Sequence, residues 1–191
     1  LPALTSVRCA GRSSLPFVAW TVNSNRATDL SEWDEFIEEW SRRARTVPWA
    51  DRIPKAVFRG HLRPFTVCGG WPAGPPRYNE VIDASNWKTL GRSAIWKGRI
   101  DHPEALDVNF DNSAEMASRW KLSPLEAAAL DEPKSISMEE QARRFRYAIH
   151  PEGQCGFADR LKTIMALPML VFKQANPCSE WYEGLLVAGE H

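Results

Sequence analysis

One helical stripe stands out in the pattern of apolar and polar positions. Trp33, Phe36, Ile37, Trp40 and Ala44 recur at helical spacing, so they share one face of a helix. Ser31 followed by Asp34 resembles a capping box. Glu32, Asp34 and Glu35 fill the first turns, and Arg42, Arg43 and Arg45 the last. The helix dipole accounts for those charges without a binding patch. Pro48 should end the helix. Upstream, residues 17 to 22 read as one buried strand. Residues 55 to 59 read as a short strand running into Gly60. Proline and glycine crowd residues 61 to 77, which predicts a long irregular loop of the kind that often carries function. A second helix is expected around residues 87 to 96 and a strand at 106 to 110. Residues 111 to 133 should be helical in pieces, broken by Pro124 and Pro133.

From residue 135 the pattern sharpens. Ser137, with Glu139 and Glu140 after it, should cap a short helix. Residues 144 to 149 read as a strand. A turn-rich stretch follows, His150-Pro151-Glu152-Gly153-Gln154-Cys155-Gly156. A helix is expected from about residue 157 to 166, then a strand at 169 to 172, and a last helix over roughly 179 to 187. Strand, glycine loop, helix and strand form a βαβ unit, the crossover that parallel strands need. The sequence pattern alone thus predicts an α/β fold.

Composition narrows the function classes. The 191 residues carry 24 Lys plus Arg against 24 Asp plus Glu, a net charge of zero. No excess positive field exists to collect nucleic acid non-specifically. The longest apolar run, residues 164 to 172, is far shorter than the roughly 18 residues a membrane helix needs. The nine tryptophans suggest a core with stacking surfaces, one or two of them a platform for a sugar. Cys9, Cys68, Cys155 and Cys178 form no C-x-x-C pair, so a zinc site is not expected, and their pairing as disulfides stays open.

Chemistry concentrates in the glycine loop. It lies between a strand end and a helix N-terminus, the edge at which open α/β sheets bind ligands. Free N–H groups in the first helical turn favour anions, and glycines let the backbone approach closely. Arg160 in that turn can meet a phosphate with two parallel hydrogen bonds, or can simply pair with an acid such as Asp159.

Three blocks resemble glycosyltransferase family 90, which includes protein O-glucosyltransferases and capsule-associated xylosyltransferases. The first is V-P-W-A-D-R-I-P-K-A-V-F-R-G at residues 47 to 60. The second is E-E-Q-A-R-R-F-R-Y-A-I-H-P-E-G-Q-C-G-F-A-D-R-L-K-T-I-M-A-L-P-M-L-V-F-K at residues 139 to 173. The third is Glu180-Trp181-Tyr182 ahead of Gly189-Glu190-His191. The resemblance implies a two-lobed GT-B architecture. Residues 1 to 46 would be the end of the N-terminal lobe with a connecting helix. Residues 47 to 191 would be a partial Rossmann-like lobe, a parallel sheet flanked by helices and incomplete at both ends. It implies transfer of a sugar from a nucleotide-diphosphate donor to a hydroxyl of a protein or glycan, in the endoplasmic reticulum or Golgi lumen. No metal or other cofactor is implied. Donor contacts would come from Arg59, Gly60, His61, Gly153, Gly156, Phe157 and Arg160. A cationic group and N–H donors there would stabilise the charge that grows on the leaving diphosphate.

Departures from the family pattern accompany the resemblance. His61 stands where the family has Ser, and Ala158 near its usual hydroxyl residue. His150 and Glu152 lie where a charged pair often sits. The family's general base belongs to an R-D-Y-P-like motif, and residues 1 to 46 contain none, so no catalytic residue is assigned. An inverting transfer needs a base for the acceptor proton. The alternative is therefore a non-catalytic, glycosyltransferase-like subunit of a larger assembly. A phosphate-binding α/β domain unrelated to sugar transfer ranks last.

Overall fold

The computed structural model describes residues 3–5, 7–9, 14–16, 30–66, 80–128, 135–151, 159–174, 178–180, 184, 186–187 and 189. Its strands are β1 (Ala3–Thr5), β2 (Val7–Cys9), β3 (Ser14–Pro16), β4 (Ile53–Gly60), β5 (Leu106–Phe110), β6 (Phe145–His150), β7 (Leu170–Lys173) and β8 (Cys178–Glu180). Its helices are α1 (Leu30–Ala44), α2 (Gly91–Asp101), α3 (Ser113–Arg119), α4 (Pro124–Ala128), α5 (Met138–Arg144) and α6 (Asp159–Ala166).

Four strands form an all-parallel sheet in the order β5-β4-β6-β7. The chain goes from β4 through α2 to β5 on one side, then returns past β4 to β6 and continues through α6 to β7. The strand order therefore reverses between β4 and β6, the switch point where such sheets open a crevice. This is the α/β class expected from the sequence.

The pleat sends Val57 and Phe58 to opposite faces. On the Phe58 face, Phe58, Val108 and Phe110 join Trp87, Leu90, Trp96, Met116 and Trp120 in the largest apolar cluster among the described residues. Trp87, Trp96 and Trp120 are each 1% exposed, with ring centroids 5.1 and 6.5 Å apart in sequence. These three tryptophans are core and cannot serve as a sugar platform. On the Val57 face, Ala148 pairs in register with Val57 and packs with Leu161 and Ile164 of α6. Helix α1 lies against α5 and the turn after α6 through Trp40, Ala44, Ala142 and Leu167. Buried Arg52 ties that corner, donating to the carbonyls of Val47, Ala44 and Pro168.

Several elements differ from their sequence-based boundaries. Strand β4 begins at Ile53, before Pro54. Proline cannot donate to a ladder, and Pro54 sits in a register irregularity between Ile53 and Ala56 that accommodates it. Helix α2 starts at Gly91, later than the expected residue 87. Asp83 accepts from the backbone N–H and hydroxyl of Ser85 while Asn86 accepts from the Asp83 N–H, which holds the preceding residues in turns. Helix α1 starts at Leu30, so Ser31 lies in its first turn and not at the capping position. The helical pieces expected after residue 111 are α3 and α4, and Pro124 marks the break by opening α4, a position where its missing N–H costs nothing; Pro133 lies outside the described residues. The last expected helix is contradicted at its start, because residues 178 to 180 form β8, antiparallel to β2 with Cys178 opposite Cys9. The expected strand at residues 17 to 22 lies outside the described residues.

Candidate functional site

The sheet's carboxyl edge collects residues from four elements. Strand β4 ends in Phe58, Arg59 and Gly60, followed by His61. Strand β6 ends in His150. Helix α2 runs back from the same edge, with Arg92 in its first turn, and α6 does the same with Arg160.

Arg160 reaches across the top of β4. Its Nη1 donates to the carbonyl of Arg59, and its Nη2 donates to Gln141 Oε1 of α5 at 3.1 Å. Its guanidinium carbon lies 4.5 Å from the centroid of the Phe58 ring. Nε is buried and has no hydrogen-bond partner among the described residues. Both of these described acceptors are neutral; the side chain of Asp159, the acid named as its alternative partner, lies outside the described residues. Burial first, then the positive charges of Arg92 and Arg59, push its pKa down to about 10. It remains charged at neutral pH, in a neighbourhood that repels it.

Arg92 sets a second guanidinium 5.8 Å from the same ring and donates to the His61 carbonyl at 2.9 Å. Helix α2 opens on Gly91 at φ +53°, a left-handed conformation that suits glycine. Leu90, at the capping position, provides no side-chain acceptor for the first-turn N–H groups. Two arginines and a helix N-terminus thus meet at the switch point. An anion is the ligand such an arrangement attracts.

Gly60 is required by the packing. A Cβ there would stand 2.9 Å from Phe58 Cζ and 3.1 Å from Cε1, with Arg160 Nη1 at 3.9 Å. The Arg59 backbone belongs to the crevice, but its side chain turns away. It makes an ion pair with Asp107 at 2.6 Å and lines a separate cavity of about 700 Å³ with Lys55, Arg99 and Asn109. His61 stands exposed on the rim, Nδ1 2.6 Å from Asp111 Oδ1, which leaves Nε2 as the nitrogen to meet a ligand. Gly153, Gly156 and Phe157 lie outside the described residues.

Sequence reasoning missed Arg92 and Phe58 as parts of this edge, and placed His150 there at the start of the glycine loop without giving it a role. Arg92 carried the same signal as Arg160, a basic residue in a first helical turn, but the expected helix start four residues earlier hid it. Phe58 looked like any strand residue.

Among the described residues no group of three or more His, Cys, Asp or Glu side chains is placed to hold a metal ion. No helix among them is long and apolar enough to cross a membrane. Compared with known proteins, the chain matches no family model and no curated protein.

Proposed function

We propose that the crevice between the carboxyl ends of β4 and β6 binds the diphosphate of a nucleotide sugar. On this reading the chain is the donor-binding, Rossmann-like part of a GT-B type glycosyltransferase. It would move a sugar to a hydroxyl of a protein or glycan, in the secretory lumen where the family it resembles works. The observation that carries the reading is Arg160, a half-buried cation at the strand-order reversal whose described hydrogen-bond acceptors are neutral. Arg92, the uncapped first turn of α2 and the close approach allowed at Gly60 support it. Such donors, fixed before the ligand arrives, favour the charge that accumulates as a diphosphate leaves.

A second reading has its own support. Two amino groups of Arg160 are already held by protein acceptors, as they would be in a structural cation that locks α6 to β4. That pattern favours a non-catalytic, glycosyltransferase-like subunit. Calorimetric titration with uridine diphosphate separates the two. Saturable binding that Arg160→Met weakens by about tenfold or more supports the donor site. No binding by the folded wild type supports the structural subunit.

A further inference from the structure

His150 ends β6 at the carboxyl edge of the sheet and is 6% exposed. Its Nδ1 is buried without a hydrogen-bond partner among the described residues. The charges that act on it are Arg160 from α6, Lys173 in register with it on β7, and Arg92 from α2. From β4, Arg59 adds to the field on Arg160 while its own guanidinium is held by Asp107. From α5, the neutral side chain of Gln141 reaches Arg160. On the rim, Asp111 is engaged by His61. Burial first, then the three cations, hold the His150 pKa down to about 3, so the ring is neutral at neutral pH.

A buried polar atom with no partner is costly, and here, unlike Trp87 Nε1 and Trp120 Nε1 in the core, it stands at the carboxyl edge of the sheet, where a ligand can complete it. An anion among these cations reverses the local field. It offsets Arg160, Lys173 and Arg92, and it gives an imidazolium N–H an acceptor. We infer that His150 is a ligand of the bound anion and takes up a proton as the anion binds, so that the affinity of this crevice rises as pH falls. The proton comes from solvent to the imidazole, Nδ1–H donates to an anion oxygen, and no covalent bond changes. This inference rests on the diphosphate reading of the crevice.

Uridine diphosphate glucose is a suitable probe, because its doubly esterified diphosphate has no proton to titrate near neutrality. Calorimetric titrations of the full chain should show affinity rising roughly tenfold from about pH 7 to about pH 5. Proton uptake should appear as a dependence of the heat on the buffer's ionisation enthalpy. His150→Gln keeps a polar side chain but cannot titrate there, and its affinity should rise clearly less than that of the wild type over the same pH range. Nitrogen NMR of the wild-type imidazoles tests the same point without a variant: one resonance should acquire a higher pKa when the probe binds. Equal pH dependence in wild type and His150→Gln, or an imidazole titration unchanged by bound probe, would overturn the inference and leave the diphosphate site standing. Absence of binding at every pH would overturn the diphosphate reading itself, and this inference with it.

Discussion

Arg160 and Arg59 are 101 residues apart in sequence, yet the guanidinium of one donates to the backbone carbonyl of the other at the end of β4. That bond fastens the first turn of α6 to the strand across the switch point. It also holds a positive charge beside Phe58 and Gly60, where a ligand's diphosphate would lie.

Removing the charge should cost both binding and rigidity. Arg160→Met should weaken uridine diphosphate affinity by about 1.5–3 kcal/mol, the worth of a charged hydrogen-bond partner. Arg160→Lys should recover only part of the loss, because an ammonium cannot present a planar fork. Calorimetry on both variants, with circular dichroism to confirm folding, checks this.

Gly60→Ala places a methyl against a ring that is 1% exposed and packed 5.4 Å from Phe110. The ring must shift, and the arginine stacked on it with it. Overpacking of this kind typically costs about 1–3 kcal/mol. Urea denaturation should show a lower midpoint with an unchanged slope.

Arg52 is the structural counterpart. Arg52→Met keeps much of the volume but leaves the carbonyls of Ala44, Val47 and Pro168 without their donor. Stability should fall by about 3 kcal/mol. Nucleotide affinity, measured below the denaturation midpoint, should not change, since this corner lies at the amino end of β4 and beyond the last turn of α6, opposite the carboxyl edge.

Acid sensitivity should carry a His150 component. Its folded pKa lies near 3 and its ordinary value is 6.5, so the unfolded chain binds the extra proton between them. The contribution is intact above pH 6.5 and is lost as pH falls toward 3. The slope approaches about 1.4 kcal/mol per pH unit in that window. His150→Gln should flatten the wild-type stability profile over the same window in urea melts taken at stepped pH.

The fold was legible where one local signal acted alone. Ser137 accepts from the Glu140 N–H as its position suggested, and Leu106–Phe110 is a strand in its expected place. Local signals failed where tertiary pairing or side-chain turns competed with them. Asp83 and Asn86 delayed α2 by four residues, and pairing with β2 drew residues 178 to 180 into a strand. For the candidate site, a basic residue in the first turn after the glycine loop pointed to Arg160, and the family resemblance pointed to Gly60; the structure brings the two together at the end of β4. The destination of Arg59's side chain was not legible, because it depends on Asp107 of a strand formed 48 residues later. The cations that act on His150 come from α2, α6 and β7, so no single segment could announce them.

The central claim is that a nucleotide diphosphate binds at the carboxyl edge of the sheet. Chemical-shift mapping of the isotope-labelled chain with uridine diphosphate tests it most directly. Saturable shifts are expected at the amides of Gly60, His61, Gly91 and Arg92 and at the Arg160 side-chain Nε. No saturable shifts, or shifts confined to the opposite edge around Ile53, Pro103 and Phe145, would contradict it.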